Sequence, residues 1–228
     1  MATTVIENCN NVQLYNYANQ VSVKGAETGC KLGFIKGNGI KKTIKIATES
    51  FSRFKSSSSI DIDFYPSNEK VIEVTADENT TNLIAVKNIG DTLSIGYKDS
   101  VAFTSVNTVK VLLKYPQMPT IEFSGSSNLT INNLKQDSLK IIFNGSGRMR
   151  LNGIVKNLSI ESNDSGKIQA KNLIASNVNV YLSGSGKIET TAIQTVTALN
   201  IGVGKIEING NPKSRQIEVT KLGKIKFE

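Results

Sequence analysis

The chain has 228 residues, with 27 Lys and Arg against 19 Asp and Glu, no histidine, two cysteines and a formal net charge of +8. The missing histidine excludes an ordinary Ser-His-Asp triad and any thiol–imidazole pair, and two cysteines do not make a disulfide scaffold. No stretch approaches the ~18 consecutive apolar residues of a membrane-spanning helix, and helix-period patterning is absent while Ile, Val, Thr and Ser are frequent.

Residues 1–41 read as an N-terminal β segment or cap. Short alternating pieces, VQLYNY and QVSVKG, are followed by CKLGFIKGNG, whose glycines mark turns. Residues 1–10 lack the charged and apolar regions of a secretion signal. The chain is therefore either cytoplasmic or a mature secreted form bearing a start methionine. Cys9 and Cys30 lie 21 residues apart in no CxxC setting, which leaves one bridge and two free thiols both open and gives zinc or catalytic roles no support.

Residues 42–120 form a second stretch of strands. A strand is expected at 44–51, a turn at the serine run 56–59, and then IDIDFYP with Ile60, Ile62 and Phe64 on one face. VIEVTAD and LIAVKN alternate, GDTLSIGY reads as turn and strand, and VKVLLKYP ends at Pro116.

From residue 121 to 228 one phrase recurs six times, a small-residue turn feeding an alternating strand: GSSNLTI, GSGRMRL, DSGKIQA, GSGKIET, GVGKIEI and KLGKIKF. The last turn residues, Ser127, Gly147, Gly166, Gly186, Gly204 and Gly223, are separated by 20, 19, 20, 18 and 19 positions. Such a period specifies one coil of a β-solenoid of about 19–20 residues per coil. Gly125, Gly145, Gly184 and Gly202 hold the first turn position, and positive φ is the expected reason for glycine throughout. Alternation turns two columns inward: Leu129, Met149, Ile168, Ile188, Ile206, Ile225, and Ile131, Leu151, Ala170, Thr190, Ile208, Phe227. Before the turn, Ile121, Ile141, Ile160, Val180, Ala198 and Ile217 make a further inward column, with a register slip expected in the short fifth copy near Leu199 and Ile201.

Outward, Arg148, Lys167, Lys187, Lys205 and Lys224 share one column, and the chain from 121 carries 14 basic against 8 acidic residues. Two readings stand. The column is a soluble face that also blocks sheet-to-sheet contact, or it is a basic ladder that concentrates positive potential for acidic glycans, lipid headgroups or nucleic acid. Glu189 and Glu207, two residues after Lys187 and Lys205 on the same outward face, temper the second reading.

The elements SSSIDIDFYP, VIEVTADENTTNLIAV, IGDTLSIGY, YPQMPTIEFSGSS, FNGSGRM and LSGSGKI, in that order, resemble a bacterial family of auto-transporter adhesins, the head GIN domain family. The resemblance covers roughly residues 43–228. It implies an all-β, right-handed parallel β-helix, a noncatalytic adhesin-like role, and a secreted or cell-surface location. Family members commonly carry an acidic residue directly after the GSG turn, where this chain has Arg148, Lys167, Lys187, Lys205 and Lys224, so the resemblance implies nothing about charge-dependent partners.

Other classes fit less well. A leucine-rich repeat needs an L-x-x-L-x-L-x-x-N register that is missing, and a calcium-binding β-roll needs turn aspartates where this chain places Lys or Arg. A polysaccharide-active β-helix enzyme remains the alternative from another class. Its candidate carboxylates are Asp61 with Asp63 and Glu161 with Asp164, each with a structural explanation, in outward alternation and in the turn. A structural solenoid that assembles through its ends or faces as a homo-oligomer is the third reading. No nucleic-acid motif, metal or cofactor is expected.

Overall fold

The computed structural model describes residues 13–17, 20–24, 34–98, 102–118, 120–220 and 222–228. The chain is nearly all strand and is arranged as a β-solenoid of about five turns. Four long strands each run almost once round the coil: Asn128–Gly145, Arg148–Ser162, Lys167–Leu182 and Lys187–Asn200. Lys205–Asn209, Ser214–Val219 and Lys224–Phe227 continue the stack. Each coil has a strand after its turn, a bend whose own short stretch also pairs with the next coil, and a strand before the next turn, so a post-turn sheet and a pre-turn sheet enclose the core with the bend as a third side.

The first inward column is continuous. Leu129, Met149, Ile168, Ile188, Ile206 and Ile225 pair rung by rung, and the first five are buried. Opposite them Ile121, Ile141, Ile160, Val180, Ala198 and Ile217 do the same. Further inward columns escaped the sequence pattern because the bends break its period. They include Leu139, Leu158, Val178 and Val196, and at the bend two shorter ones, Leu134 with Leu173 across Gly153, and Val155 with Ala175 and Ala192.

The fifth copy departs from expectation. The strand carrying Leu199 keeps its register, with Val180 on Ala198 and Tyr181 on Leu199, and the shortening falls at the bend: the later coil drops the counterparts of the residues between Ala170 and Ile174 and regains one between Ala192 and Thr195. Asn200 then takes the inward place held by Leu182 one coil earlier. Its buried amide is satisfied locally, donating to the carbonyl oxygens of Gly204 at 2.9 Å and Lys224 at 3.2 Å and accepting from the Gly202 N–H at 3.2 Å.

The turn glycines are required for a different reason from the one expected. Gly125 alone of them has positive φ, at 112°. At Gly145, Gly147, Gly166, Gly184, Gly186, Gly202 and Gly204 an added Cβ would overlap atoms of the preceding coil, chiefly carbonyl oxygens, and at Gly223 it would crowd the Asn200 side chain. Close approach between stacked turns, rather than a left-handed backbone, excludes a side chain there.

At the N-terminal side the strands do not stack in chain order. Thr120–Gly125 lies on Arg53–Ser56, which lies on Thr92–Tyr97, while Asn128–Gly145 lies on Asp61–Pro66, which lies on Lys110–Tyr115. The serine run therefore connects two strands of a rung that the six-copy phrase did not reveal, with Ile62 under Leu129 and Phe64 under Ile131. Beyond it the direction reverses. Val71–Asp77 runs antiparallel on Lys110–Tyr115, Ile84–Ile89 antiparallel on Thr92–Tyr97, and Lys41–Ala47 antiparallel on Val71–Asp77. The strand expected at 44–51 is this last one. Phe51 lies past its end and stacks on Tyr115 with centroids 4.1 Å apart.

Asp77 fastens this reversed layer. Its buried carboxylate accepts from the backbone N–H of Val106 at 2.7 Å and of Asn107 at 3.3 Å, and from the Asn107 side chain. Burial pushes its pKa up, but these hydrogen bonds outweigh burial and hold it below the usual aspartate range. Of the expected N-terminal pieces, Gln13–Tyr17 and Gln20–Lys24 pair as an antiparallel hairpin, and Phe34–Lys36 pairs with Ala102–Thr104. Cys9 and Cys30 lie outside the described residues.

Ile188 is 1% exposed in the middle of its column. Replacing it by Asp places a charge without a partner among Ile168 and Ile206, at a cost of several kcal/mol in order of magnitude, roughly the scale set by buried unpaired charges. The variant is expected to unfold at much lower urea than the parent; an unchanged midpoint would remove Ile188 from the core.

Candidate functional site

Arg148, Lys167, Lys187, Lys205 and Lys224 stand in one column on the outer face of the post-turn sheet, in the expected register. The neighbouring outward column is Arg150, Gln169, Glu189, Glu207 and Lys226. The two columns interlock in the middle. Glu189 sits 3.4 Å from Lys167 and 2.7 Å from Lys187, Glu207 sits 2.7 Å from Lys187, and Glu207 also pairs with Lys205. Charges alternate along this zipper from Lys167 to Lys205, three lysines against two glutamates.

The ends of the column differ from its middle. Arg148, Arg150, Lys224 and Lys226 are exposed, and among the described residues no carboxylate pairs with them. Positive potential is therefore concentrated at two places, beside Arg148 and Arg150 and on the last rung. The in-rung pairing was legible in the i, i+2 spacing. The cross-rung pairs of Lys167 with Glu189 and Lys187 with Glu207 needed the register.

The titration behaviour follows the zipper. Hydrogen bonds to Glu189 and Glu207 hold the Lys187 ammonium above the usual lysine range. Burial raises the Glu189 carboxyl, but the Lys187 hydrogen bond and the charges of Lys167 and Lys187 outweigh it and leave the group below the usual range. Hydrogen bonds from Lys187 and Lys205 lower Glu207 directly.

Of the carboxylates considered for catalysis, Asp61 is engaged in rung pairing, while Asp63 and Asp164 are exposed. Asp61 accepts from the backbone N–H of Asn128 at 2.9 Å and from its side chain at 3.0 Å, tying two rungs together. Asp63 is an exposed outward residue of the same strand. The Asn163 side chain lies 3.5 Å from Glu161, and Asp164 is exposed in its turn, where its carbonyl accepts the Gly186 N–H. Among the described residues no group of three or more His, Cys, Asp or Glu is placed to hold a metal ion, and no helix is long and apolar enough to cross a membrane.

A family model described as "Putative auto-transporter adhesin, head GIN domain" matches residues 50–212. The chain belongs to this family. The match begins just before the Arg53–Ser56 strand and ends at the last bend, so it spans the interleaved rungs as well as the GSG coils. Among solved structures, a putative adhesin from Bacteroides fragilis NCTC 9343 is 22% identical with a TM-score of 0.71, covering 85% of this chain and 100% of that one. A putative lipid binding protein from Parabacteroides distasonis ATCC 8503 is 21% identical with a TM-score of 0.57, covering 86% and 99%. A putative adhesin from Parabacteroides merdae ATCC 43184 is 22% identical with a TM-score of 0.54, covering 86% and 99%. At these identities the likeness is one of fold. No curated protein matches the chain.

The zipper predicts a pH profile. Glu189 and Glu207 titrate lower in the folded than in the unfolded chain, so their stabilisation is complete above the ordinary glutamate value of about 4.3 and is lost as pH falls through their folded values. Lys187 titrates higher when folded, so its share is present below about 10.4 and is lost as pH rises through its folded value. Urea midpoints measured across pH are expected to fall less steeply on the acid side in a Glu189→Gln, Glu207→Gln double variant than in the parent. Equal steepness would assign the acid loss to other carboxylates.

Proposed function

We propose that this chain is a noncatalytic, adhesin-like surface or secreted protein that holds ligands on the outer faces of a rigid solenoid, and that the stretch of the basic column at Arg148 and Arg150, which no carboxylate among the described residues pairs, is a contact point for acidic groups. The carrying observation is that pair of exposed arginines, set side by side on a hydrogen-bonded sheet without a carboxylate partner among the described residues. Guanidinium groups suit carboxylate, sulfate and phosphate because their paired donors match those anions. The family description and the adhesins among the solved relatives support surface binding. The relative described as lipid binding makes an anionic headgroup one of the acidic candidates. The engagement of Asp61 in rung pairing supports the noncatalytic reading.

A second reading, assembly between copies, is favoured by the outermost strands Ser214–Val219 and Lys224–Phe227. Every residue of the first is exposed, and Ile217, Val219 and Phe227 present apolar surface. Arg215 opposes it, since its guanidinium stacks over the Phe227 ring at 4.2 Å and covers part of that end.

Each exposed charge contributes little and is screened by salt, so single contacts are weak and affinity comes from several acting together. On an array of glycans and lipids, the parent is expected to favour acidic members at low salt and to lose binding at physiological salt. An Arg148→Ser, Arg150→Ser double variant is expected to bind those members more weakly. Equal binding by parent and variant would take this end of the column out of the account.

A further inference from the structure

The outer face of the other sheet carries a different chemistry. A groove of about 560 Å³ crosses several rungs where the bend meets the pre-turn strand. One column along it is Ser138, Asn157, Asn177 and Thr195, paired rung by rung. These side chains bond along the solenoid axis. Asn157 Nδ2 lies 3.5 Å from Ser138 Oγ, Asn177 Nδ2 donates to Asn157 Oδ1 at 3.0 Å, and Thr195 Oγ1 donates to Asn177 Oδ1 at 2.9 Å. Each asparagine keeps an amide N–H and an oxygen lone pair that this chain of bonds does not use.

The next outward column, Lys140, Ser159, Asn179 and Thr197, is also in register. Among the described residues these four side chains make no hydrogen bond to the protein, although all of them line the groove. The lining contains no carboxylate, and its one charged residue is Lys140. Tyr181, two residues beyond Asn179 on the same outward face, is a partly exposed aromatic residue just outside the lining.

We infer that this groove is a second binding site, specific for an uncharged polyhydroxyl chain such as a neutral oligosaccharide. Amides and hydroxyls both donate and accept, so water satisfies them in the free protein, and a ligand that displaces this water must supply donors and acceptors together. A sugar chain does so on every ring, and its C–H faces pack on an amphipathic ring such as that of Tyr181. An apolar ligand would leave the amides unpaired at a cost. An acidic ligand would meet only Lys140, whereas Arg148 and Arg150 offer it a better place on the other sheet. The inference extends the adhesin-like reading, but it concerns a different sheet and needs no charge.

Native electrophoresis through gels containing mannan, laminarin or dextran tests it. At least one of these neutral polysaccharides is expected to retard the protein, equally at low and high salt. An Asn179→Ala, Thr197→Ala double variant, altered only at exposed positions, is expected to lose roughly ten-fold or more in affinity, the scale of one to two hydrogen bonds. The Arg148→Ser, Arg150→Ser variant is expected to keep the retardation. Retardation by none of the three, or retardation untouched by the groove variant, overturns the site. Retardation abolished by salt or by the arginine variant overturns it too and transfers the binding to the basic column. Loss of acidic-ligand binding in the arginine variant with neutral binding intact separates the two sites.

Discussion

Backbone hydrogen bonds hold each coil ~4.8 Å from the next, so a side chain's nearest neighbours along the axis are the residues at the same place in the coils before and after. Three consequences follow. Apolar positions must stack on apolar positions, as Ile168, Ile188 and Ile206 do. Turns must approach closely, so a methyl group at Gly147 would overlap the Ser127 carbonyl oxygen. Like charges in one column would repel by about 1 kcal/mol per neighbouring pair even in water, which the lysine column relieves by interleaving Glu189 and Glu207. The glutamates are thus a structural requirement of stacking lysines before they are anything else. Where that relief ends, at Arg148 and Arg150, no carboxylate among the described residues pairs with the charge.

The same constraint shapes the ends. A parallel stack would expose its open core and strand edges. On the N-terminal side the chain reverses direction, so that Val71–Asp77 and Ile84–Ile89 cover both sheets with antiparallel strands, and Asp77 pins the loop at Val106 and Asn107 over them. Threading Arg53–Ser56 and Asp61–Pro66 between rungs formed later in the chain ties this cover to the coils. Pairing between residues so distant in sequence is slow to form but resists local unravelling. On the opposite side Arg215 takes the column place held by Val196 one coil earlier, and its stacking on Phe227 gives a smaller polar cover.

The coils from residue 121 were legible because turn, inward and outward positions recur at nearly constant spacing, and the pairing follows that alignment through Ile225. Three features were not. The rung containing Ile62 and Phe64 lies 67 residues from its neighbour in sequence, Ile62 against Leu129, so no period exposes it. The shortening in the fifth copy was placed at Leu199 because the pattern counts residues without saying which side of the coil loses them; the bend absorbs the loss because it is the least regular side. The role of the glycines is a contact between coils, invisible in a single turn. At the candidate site the shared column of the basic residues follows from their spacing, while its division into a neutralised middle and unpaired ends depends on pairs between rungs.

The pre-turn face is silent in the sequence because Ser, Thr and Asn are ordinary outward residues of a strand. Their meaning comes from the stack. Ser138, Asn157, Asn177 and Thr195 become a bonded ladder only when the rungs are in register, and Ser159, Asn179 and Thr197 become unspent hydrogen-bonding capacity because that ladder leaves them without partners among the described residues. One scaffold therefore presents ionic chemistry on one sheet and neutral polar chemistry on the other, each repeated at the rung spacing. Repetition turns weak contacts into useful affinity only if the sites keep their spacing when a ligand binds. The hydrogen-bonded stack and its interdigitated core supply that rigidity, so the proposed binding of weak contacts in concert would draw on the same features that make this solenoid stable.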